Sequence, residues 1–190
     1  MRFGDAARLI LVRHAAVELR DDEPPEAWQL RSDGRDAAAR LAAWSGWRNV
    51  MLVASSPEPK AFDTAAPIAA AAGVELRVES DLREAGRPRR PVASRVEYVA
   101  LASAYLRGEP LAGWEPASEV RQRVVACIDR LVAVAQGDVA VVSHGLALSL
   151  LLALEPVEWE RFPLPAVAVA DPRTRRILRP WARAEDFVPE

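Results

Sequence analysis

The sequence is poor in three residue types that often perform chemistry in proteins. Its 190 residues include one cysteine (Cys127), two histidines and one lysine (Lys60). A single cysteine excludes a disulfide framework and any zinc or iron–sulfur site held by several thiolates. Cys127 follows the helical spacing of neighbouring apolar residues, so we expect a small buried side chain and no reactive thiol.

Long hydrophobic runs and a charge surplus are also missing. No apolar run reaches the roughly 18 residues that a membrane span needs, and no signal-peptide pattern is present, so we expect a cytoplasmic protein. The formal net charge of −2 lacks the basic surplus that binders of nucleic acid or membrane surfaces use, so we expect neither partner. The length favours one domain, residues 1–190, since a domain spans roughly 100–200 residues.

Short apolar runs alternate with helical patterns along the chain. Near-continuous branched runs are typical of strands buried on both faces of a parallel sheet. We therefore predict a three-layer α/β/α sandwich with a mainly parallel open sheet, an antiparallel edge and a partly helical insertion at about 85–117 over the active site. Strands are predicted at 8–12, 50–54, 75–78, 139–143, 166–170 and 175–178, and helices at 32–44, 56–72, 118–136 and 145–154.

Cap residues suggest where two of these helices begin and end. Ser32 is predicted to cap the first helix, with Gly46 just past its end. Ser56 is predicted to cap the second helix, with Pro57 at its first position and Gly73 after its last turn.

Polar residues follow three of the predicted strands. Arg13–His14 ends the first strand, Ser55–Ser56 follows the second with Lys60 one helical turn later, and Ser143–Gly145 contains His144. Ligands of open α/β sheets bind at the carboxyl ends of the strands. Both histidines of the chain are therefore predicted to lie at one ligand site.

The motifs at these positions resemble those of the histidine phosphatase superfamily, also called phosphoglycerate mutase-like. The matching segments are LILVRHAAVE, SSPEPKAFDTA, DLREAGRP with the acidic residue Glu84, and Ser143-His144-Gly145. The resemblance spans Leu9 to about Leu151. Three positions depart from the family pattern: Ala15 replaces a glycine, Lys60 an arginine, and Arg20 an asparagine.

The resemblance implies a metal-independent phosphomonoesterase, without a cofactor, that acts on a small phosphorylated substrate through a phosphohistidine. His14 matches the nucleophile, and Glu84 matches the general acid that later deprotonates water. Arg13, Lys60 and His144 match the groups that hold the phosphate. The residue chemistry agrees, because a neutral imidazole attacks phosphorus readily and fixed cationic donors neutralise the phosphoryl oxygens.

Other residues are open to two interpretations. The run of Arg87, Arg89 and Arg90 is either a solvated loop or a second anion site for the leaving group, and Trp114 either lines that side of the pocket or packs in the core. If Glu84 is not the acid, Glu18 and Glu115 are the substitutes.

Three other functions remain possible at this point. A phosphomutase would retain the leaving group and rephosphorylate it, and a catalytically silent domain would only bind phosphate. A zinc hydrolase on His14, His144 and Glu84 is disfavoured, because their spacing matches no helix-borne zinc motif.

Overall fold

The computed structural model describes residues 7–20, 22–88, 94–183 and 186. Within this part of the chain, the strands are β1 (Leu9–Arg13), β2 (Val50–Ser55), β3 (Leu76–Val78), β4 (Asp138–Ser143), β5 (Ala166–Ala170) and β6 (Ile177–Arg183). These six strands form one sheet in the order β3-β2-β4-β1-β5-β6. The first four strands are parallel to one another, whereas β5 pairs antiparallel with β1, and β6 pairs antiparallel with β5.

Helices cover both faces of the sheet. Successive side chains of a strand point to opposite faces, and in β1 this places Ile10 in a cluster with helices α1 and α2, while Leu11 joins a cluster with α4 and α5. The three-layer prediction is therefore confirmed. The helices are α1 (Ser32–Ala42), α2 (Pro59–Ala72), α3 (Arg95–Leu106), α4 (Ala117–Val134), α5 (Gly145–Leu152) and α6 (Pro156–Glu160).

The predicted caps of α1 and α2 are largely wrong. Ser32 is the first residue of α1, not its cap, and Gly46 lies within a separate 3-10 turn, Ser45–Asn49. The second helix begins at Pro59, because the backbone N–H of Ser56 still bonds Val142 of strand β4 and so prolongs the extended segment. Gly73 does end α2, in the left-handed conformation with φ of 71°.

The predicted insertion contains the helix α3, and the ring of Tyr98 on this helix lies 5.8 Å from that of Trp159 on α6.

Strand β6 continues through Pro180 beyond its predicted end, which an edge strand tolerates because one side of its backbone needs no partner strand. In the described part of the chain, no helix combines the length and apolar character of a membrane span.

Candidate active site

A cavity of about 690 Å³ lies where strands β1, β2 and β4 end. The sequence-predicted residues Arg13, His14, Lys60 and Glu84 line it. His144 is directly adjacent, because its ring centroid lies 5.2 Å from that of His14. The carboxyl edge of the parallel strands thus brings together residues far apart in the sequence.

The His14 side chain is held in one tautomer. It is 7% exposed, and Nδ1 lies 2.8 Å from the carbonyl oxygen of Ala15. A carbonyl only accepts, so Nδ1 donates and Nε2 keeps the lone pair. Burial lowers the pKa of His14 well below 6.5, and the charges of Arg13 and Lys60 lower it further. His14 is therefore a neutral imidazole with its lone pair at Nε2.

His144 is completely buried beside it. Its Nε2 lies 2.8 Å from the hydroxyl oxygen of Ser56 and 3.4 Å from Oε1 of Glu58, while Nδ1 has no hydrogen-bond partner. Burial lowers the pKa of His144 well below 6.5, with further lowering from His14 and Lys60. A phosphate dianion in the cavity would oppose the positive charge of Lys60 and favour protonation of the ring.

A hydrogen bond to the main chain anchors the Arg13 side chain. Its Nη1 donates to the carbonyl of Phe162 at 2.9 Å, and its Nε is buried without a partner. Gly145 permits this position, since a Cβ there would lie 3.3 Å from Cζ of Arg13 and 2.9 Å from Nε1 of Trp159. The glycine of the Ser-His-Gly motif thus leaves room for the guanidinium.

Lys60 is buried and donates to two protein oxygens. Its Nζ donates to the carbonyl of Pro25 at 2.7 Å and to Oε2 of Glu58 at 2.5 Å. Glu58, which also lines the cavity, was not recognised from the sequence as a site residue. The available signal was a carboxylate two residues before the only lysine of the chain.

Glu84 accepts three backbone N–H groups. Its side-chain oxygens lie 3.0 Å from the N–H nitrogen of Ala85, 3.1 Å from that of Leu146 and 2.9 Å from that of Ala147. The last two belong to the first turn of α5. These contacts suit a carboxylate, which accepts from all three donors.

The two substitute acids lie elsewhere. Glu18 is exposed and does not line the described cavity, and Glu115 binds Arg123 and the N–H of Gly86. Glu84 is thus the sequence-predicted acid that the fold brings to His14.

Arg87, in the predicted insertion, also lines the cavity. Its guanidinium carbon lies 4.7 Å from the centre of the Tyr98 ring, and its buried Nη1 has no partner. Trp114 does not line the described cavity. Its ring instead packs 5.0 Å from that of Tyr105. Arg89 and Arg90 lie outside the described residues.

The other two departures from the family pattern, Ala15 and Arg20, lie at different depths. The methyl group of Ala15 lies in a small buried cluster with Leu30 and Ala38, while its N–H donates to Thr64 at 3.0 Å. The extra methyl group is therefore accommodated by packing. Arg20 is exposed at the rim of the cavity and pairs with Asp22.

Buried donors without partners are concentrated around this cavity. Most buried polar atoms in proteins are hydrogen-bonded, so exceptions indicate strain or a ligand site. In the described part of the chain, six buried side-chain nitrogens lack a partner, and four of them surround the cavity. The four are Nε of Arg13, Nη1 of Arg87, Nδ1 of His144 and Nε1 of Trp159. No group of three or more potential metal-ligating side chains occurs among the described residues.

Solved structures with this fold include several phosphatases. A mycobacterial glucosyl-3-phosphoglycerate phosphatase in complex with inorganic phosphate aligns with 95% of this chain and 99% of its own, with 22% identity and a TM-score of 0.71. A phosphoserine phosphatase variant from Entamoeba histolytica in complex with phosphoserine aligns over 95% and 99%, with 18% identity and a TM-score of 0.68. Bacillus stearothermophilus YhfR covers 92% of this chain and 95% of its own, with 18% identity and a TM-score of 0.73.

The sequence itself identifies the family. A comparison with curated protein sequences gives no match. The family model of the histidine phosphatase superfamily (branch 1), however, matches residues 9–172. This match covers most of the chain, from the start of β1 to the turn that precedes β6. The chain therefore belongs to the histidine phosphatase superfamily.

Proposed function

We propose that this chain is a phosphomonoesterase that forms a transient phosphohistidine at His14 and acts on a small phosphorylated metabolite. The observation that best supports this is the state of His14, whose Nδ1 donates to Ala15 while burial keeps the ring neutral. Such an imidazole offers a lone pair at Nε2 at the wall of a cavity lined by cationic side chains. Family membership supports the same reaction.

The first half-reaction transfers the phosphoryl group to the protein. Nε2 of His14 attacks phosphorus, the bond between phosphorus and the ester oxygen breaks, and the leaving oxygen takes a proton from Glu84. Arg13, Lys60 and His144 neutralise the phosphoryl oxygens while charge develops on them. The partnerless Nε of Arg13 and Nδ1 of His144 are suited to this role.

The second half-reaction discharges the phosphohistidine. The Glu84 carboxylate takes a proton from water, the water oxygen attacks phosphorus, and the bond between phosphorus and Nε2 breaks. Inorganic phosphate leaves and Glu84 is again protonated. The three backbone N–H groups that contact Glu84 suit the carboxylate form, which this second step needs. The first step needs the protonated form, because the leaving oxygen takes its proton from Glu84.

The leaving group would contact the insertion. Arg87, stacked on Tyr98 with a partnerless Nη1, fits a leaving group with its own carboxylate or phosphate. Two of the structural relatives are phosphatases of small phosphorylated metabolites, as their names state. By this proposal residues 1–190 act as one cytoplasmic catalytic domain, with about 85–117 as its cap, and need no nucleic acid, membrane or cofactor.

A panel of phosphate esters assayed with and without excess EDTA tests this function. We expect hydrolysis of an activated aryl phosphate to survive chelation, since arginine, lysine and histidine supply the positive charge. Loss of turnover on chelation, with recovery on adding zinc or magnesium, would contradict the metal-independent reaction. No turnover of any ester, together with measurable phosphate binding, would favour a silent binding domain.

A further inference from the structure

Glu58 is a buried carboxylate that the proposed reaction does not use. It is 8% exposed, precedes α2 as its N-cap, and contacts three site residues. Oε2 accepts from Nζ of Lys60 at 2.5 Å, Oε1 accepts from the backbone N–H of Glu84 at 2.7 Å, and Nε2 of His144 is 3.4 Å from Oε1. The side chain of Glu58 therefore contacts Lys60, which would bind the phosphate, the backbone of the proposed acid Glu84, and His144.

Removing a carboxylate from water has a free-energy cost that only close partners offset. Burial raises the pKa of Glu58, and the charge of Lys60 together with the Lys60 and Glu84 hydrogen bonds opposes that rise. Buried Asp138 shows the usual structural arrangement, because its partners are the backbone and side chain of Arg8 at the opposite, amino end of the sheet. Glu58 instead has all its partners in the site.

The backbone of Glu84 is held from both sides. Its N–H donates to Glu58, and its carbonyl accepts from Arg123 on α4 at 2.9 Å. Between these two anchors, the side chain of Glu84 reaches the first turn of α5. Glu58 is thus one of the two groups that anchor the backbone of the residue that would exchange protons with the substrate.

We propose that Glu58 is a positioning residue that fixes the backbone of Glu84 and offsets the charge of Lys60 before phosphate binds. The inference rests on the proposed phosphatase function. Phosphate would then compete with the Glu58 carboxylate for the Lys60 ammonium. The site would release product phosphate more readily than one in which the lysine had no counter-charge.

The charge effect is tested by Glu58→Gln, which keeps the size of the side chain and an oxygen that can accept from Glu84. We expect inorganic phosphate to inhibit this variant more tightly, by about three- to tenfold, which is at the lower end of coupling between contacting residues. A merely structural role would weaken phosphate binding or leave it unchanged. The tightening should disappear in the background of Lys60→Met, since the effect acts through that ammonium.

Asp138→Asn is the matched control, because it removes another buried carboxylate from an ion pair outside the site. Its inhibition by phosphate should equal that of the wild type. Equal tightening in Asp138→Asn and Glu58→Gln, or weaker phosphate binding in Glu58→Gln, would overturn the charge role.

The positioning effect is tested by Glu58→Leu, which also removes the acceptor for the Glu84 N–H. In single turnovers, phosphoryl transfer to His14 from alkyl esters should slow at least about tenfold more than transfer from aryl esters, because only alkyl leaving groups depend on a well-placed acid. Glu58→Gln should show a much smaller difference between the two ester classes, because its amide oxygen can still accept from the Glu84 N–H. An equal loss on both ester classes in Glu58→Leu would contradict positioning of Glu84.

Failure of this inference can be told apart from failure of the proposed function. If the wild type hydrolyses esters but the Glu58 variants show neither effect, Glu58 is only structural and the phosphatase proposal stands. If the wild type hydrolyses no ester, the phosphatase function fails and this inference fails with it.

Discussion

The two sides of the cavity are built differently. On the strand side, His14, Lys60 and His144 are almost completely buried and are fixed by contacts with Ala15, Pro25, Glu58 and Ser56. On the insertion side, Arg87 is half-buried, is stacked on Tyr98, and keeps a nitrogen without a partner. The difference agrees with the proposed function, in which the strand side would hold the phosphoryl group and the insertion side would contact the leaving group.

Among variants that should still turn over, the largest effect is expected at Glu84. Glu84→Gln should slow hydrolysis of alkyl phosphate esters by about 10²–10⁴-fold, the usual contribution of general acid–base catalysis. Esters of acidic phenols should lose much less in the first half-reaction, because these groups leave without protonation. Comparing single-turnover rates for the two ester classes measures this, and equal losses would mean that Glu84 is structural.

The insertion side should affect substrate choice rather than chemistry. Arg87→Ala should lower kcat/KM about tenfold or more for esters whose leaving group is anionic, since a charge-assisted hydrogen bond is worth roughly 1.5–3 kcal/mol. Neutral aryl esters should be unaffected. Arg107→Ala is the matched control, because Arg107 pairs with Glu109 in an exposed position of the same insertion. If Arg87→Ala acted equally on every ester, Arg87 would not be a specificity residue.

The smallest expected effect is a pH dependence of the free energy of unfolding, caused by the two histidines on the strand side. Burial lowers the pKa of both His14 and His144 below 6.5, so near this pH the unfolded chain binds protons that the folded protein does not. The free energy of unfolding should therefore fall as the pH drops below about 6.5, by at most about 1.4 kcal/mol per pH unit for each histidine.

Urea unfolding at several pH values measures this slope. His14→Ala should reduce the slope. An unchanged slope would mean that His14 is not buried in its neutral form.

The strand side was largely predictable from the sequence, because parallel strands place their carboxyl ends at one edge of the sheet. Two sequence motifs thus predict that His14 and His144 lie at this edge. The cap of α2 was misplaced by two residues, since the continued backbone pairing of Ser56 depends on strand β4. The links made by Glu58 likewise depend on tertiary contacts with Glu84 and His144.

The insertion side could be predicted only in outline. The sequence indicated a partly helical segment, but the approach of Tyr98 to Trp159 depends on how α3 and α6 meet in space. Helix α6 has only five residues, too few for a periodic pattern to be detected. Trp114 shows the same limit, since its position beside Tyr105 depends on packing.

The central claim is tested most directly by trapping the phosphorylated protein. Brief exposure of the wild type to an aryl ester labelled in its phosphoryl group should give an acid-labile, base-stable adduct on His14. The adduct should persist longer in Glu84→Gln, which lacks the base for the second step, and should be absent from His14→Ala, which should not turn over. Recovery of the label on His144, or near-normal turnover by His14→Ala, would contradict the account.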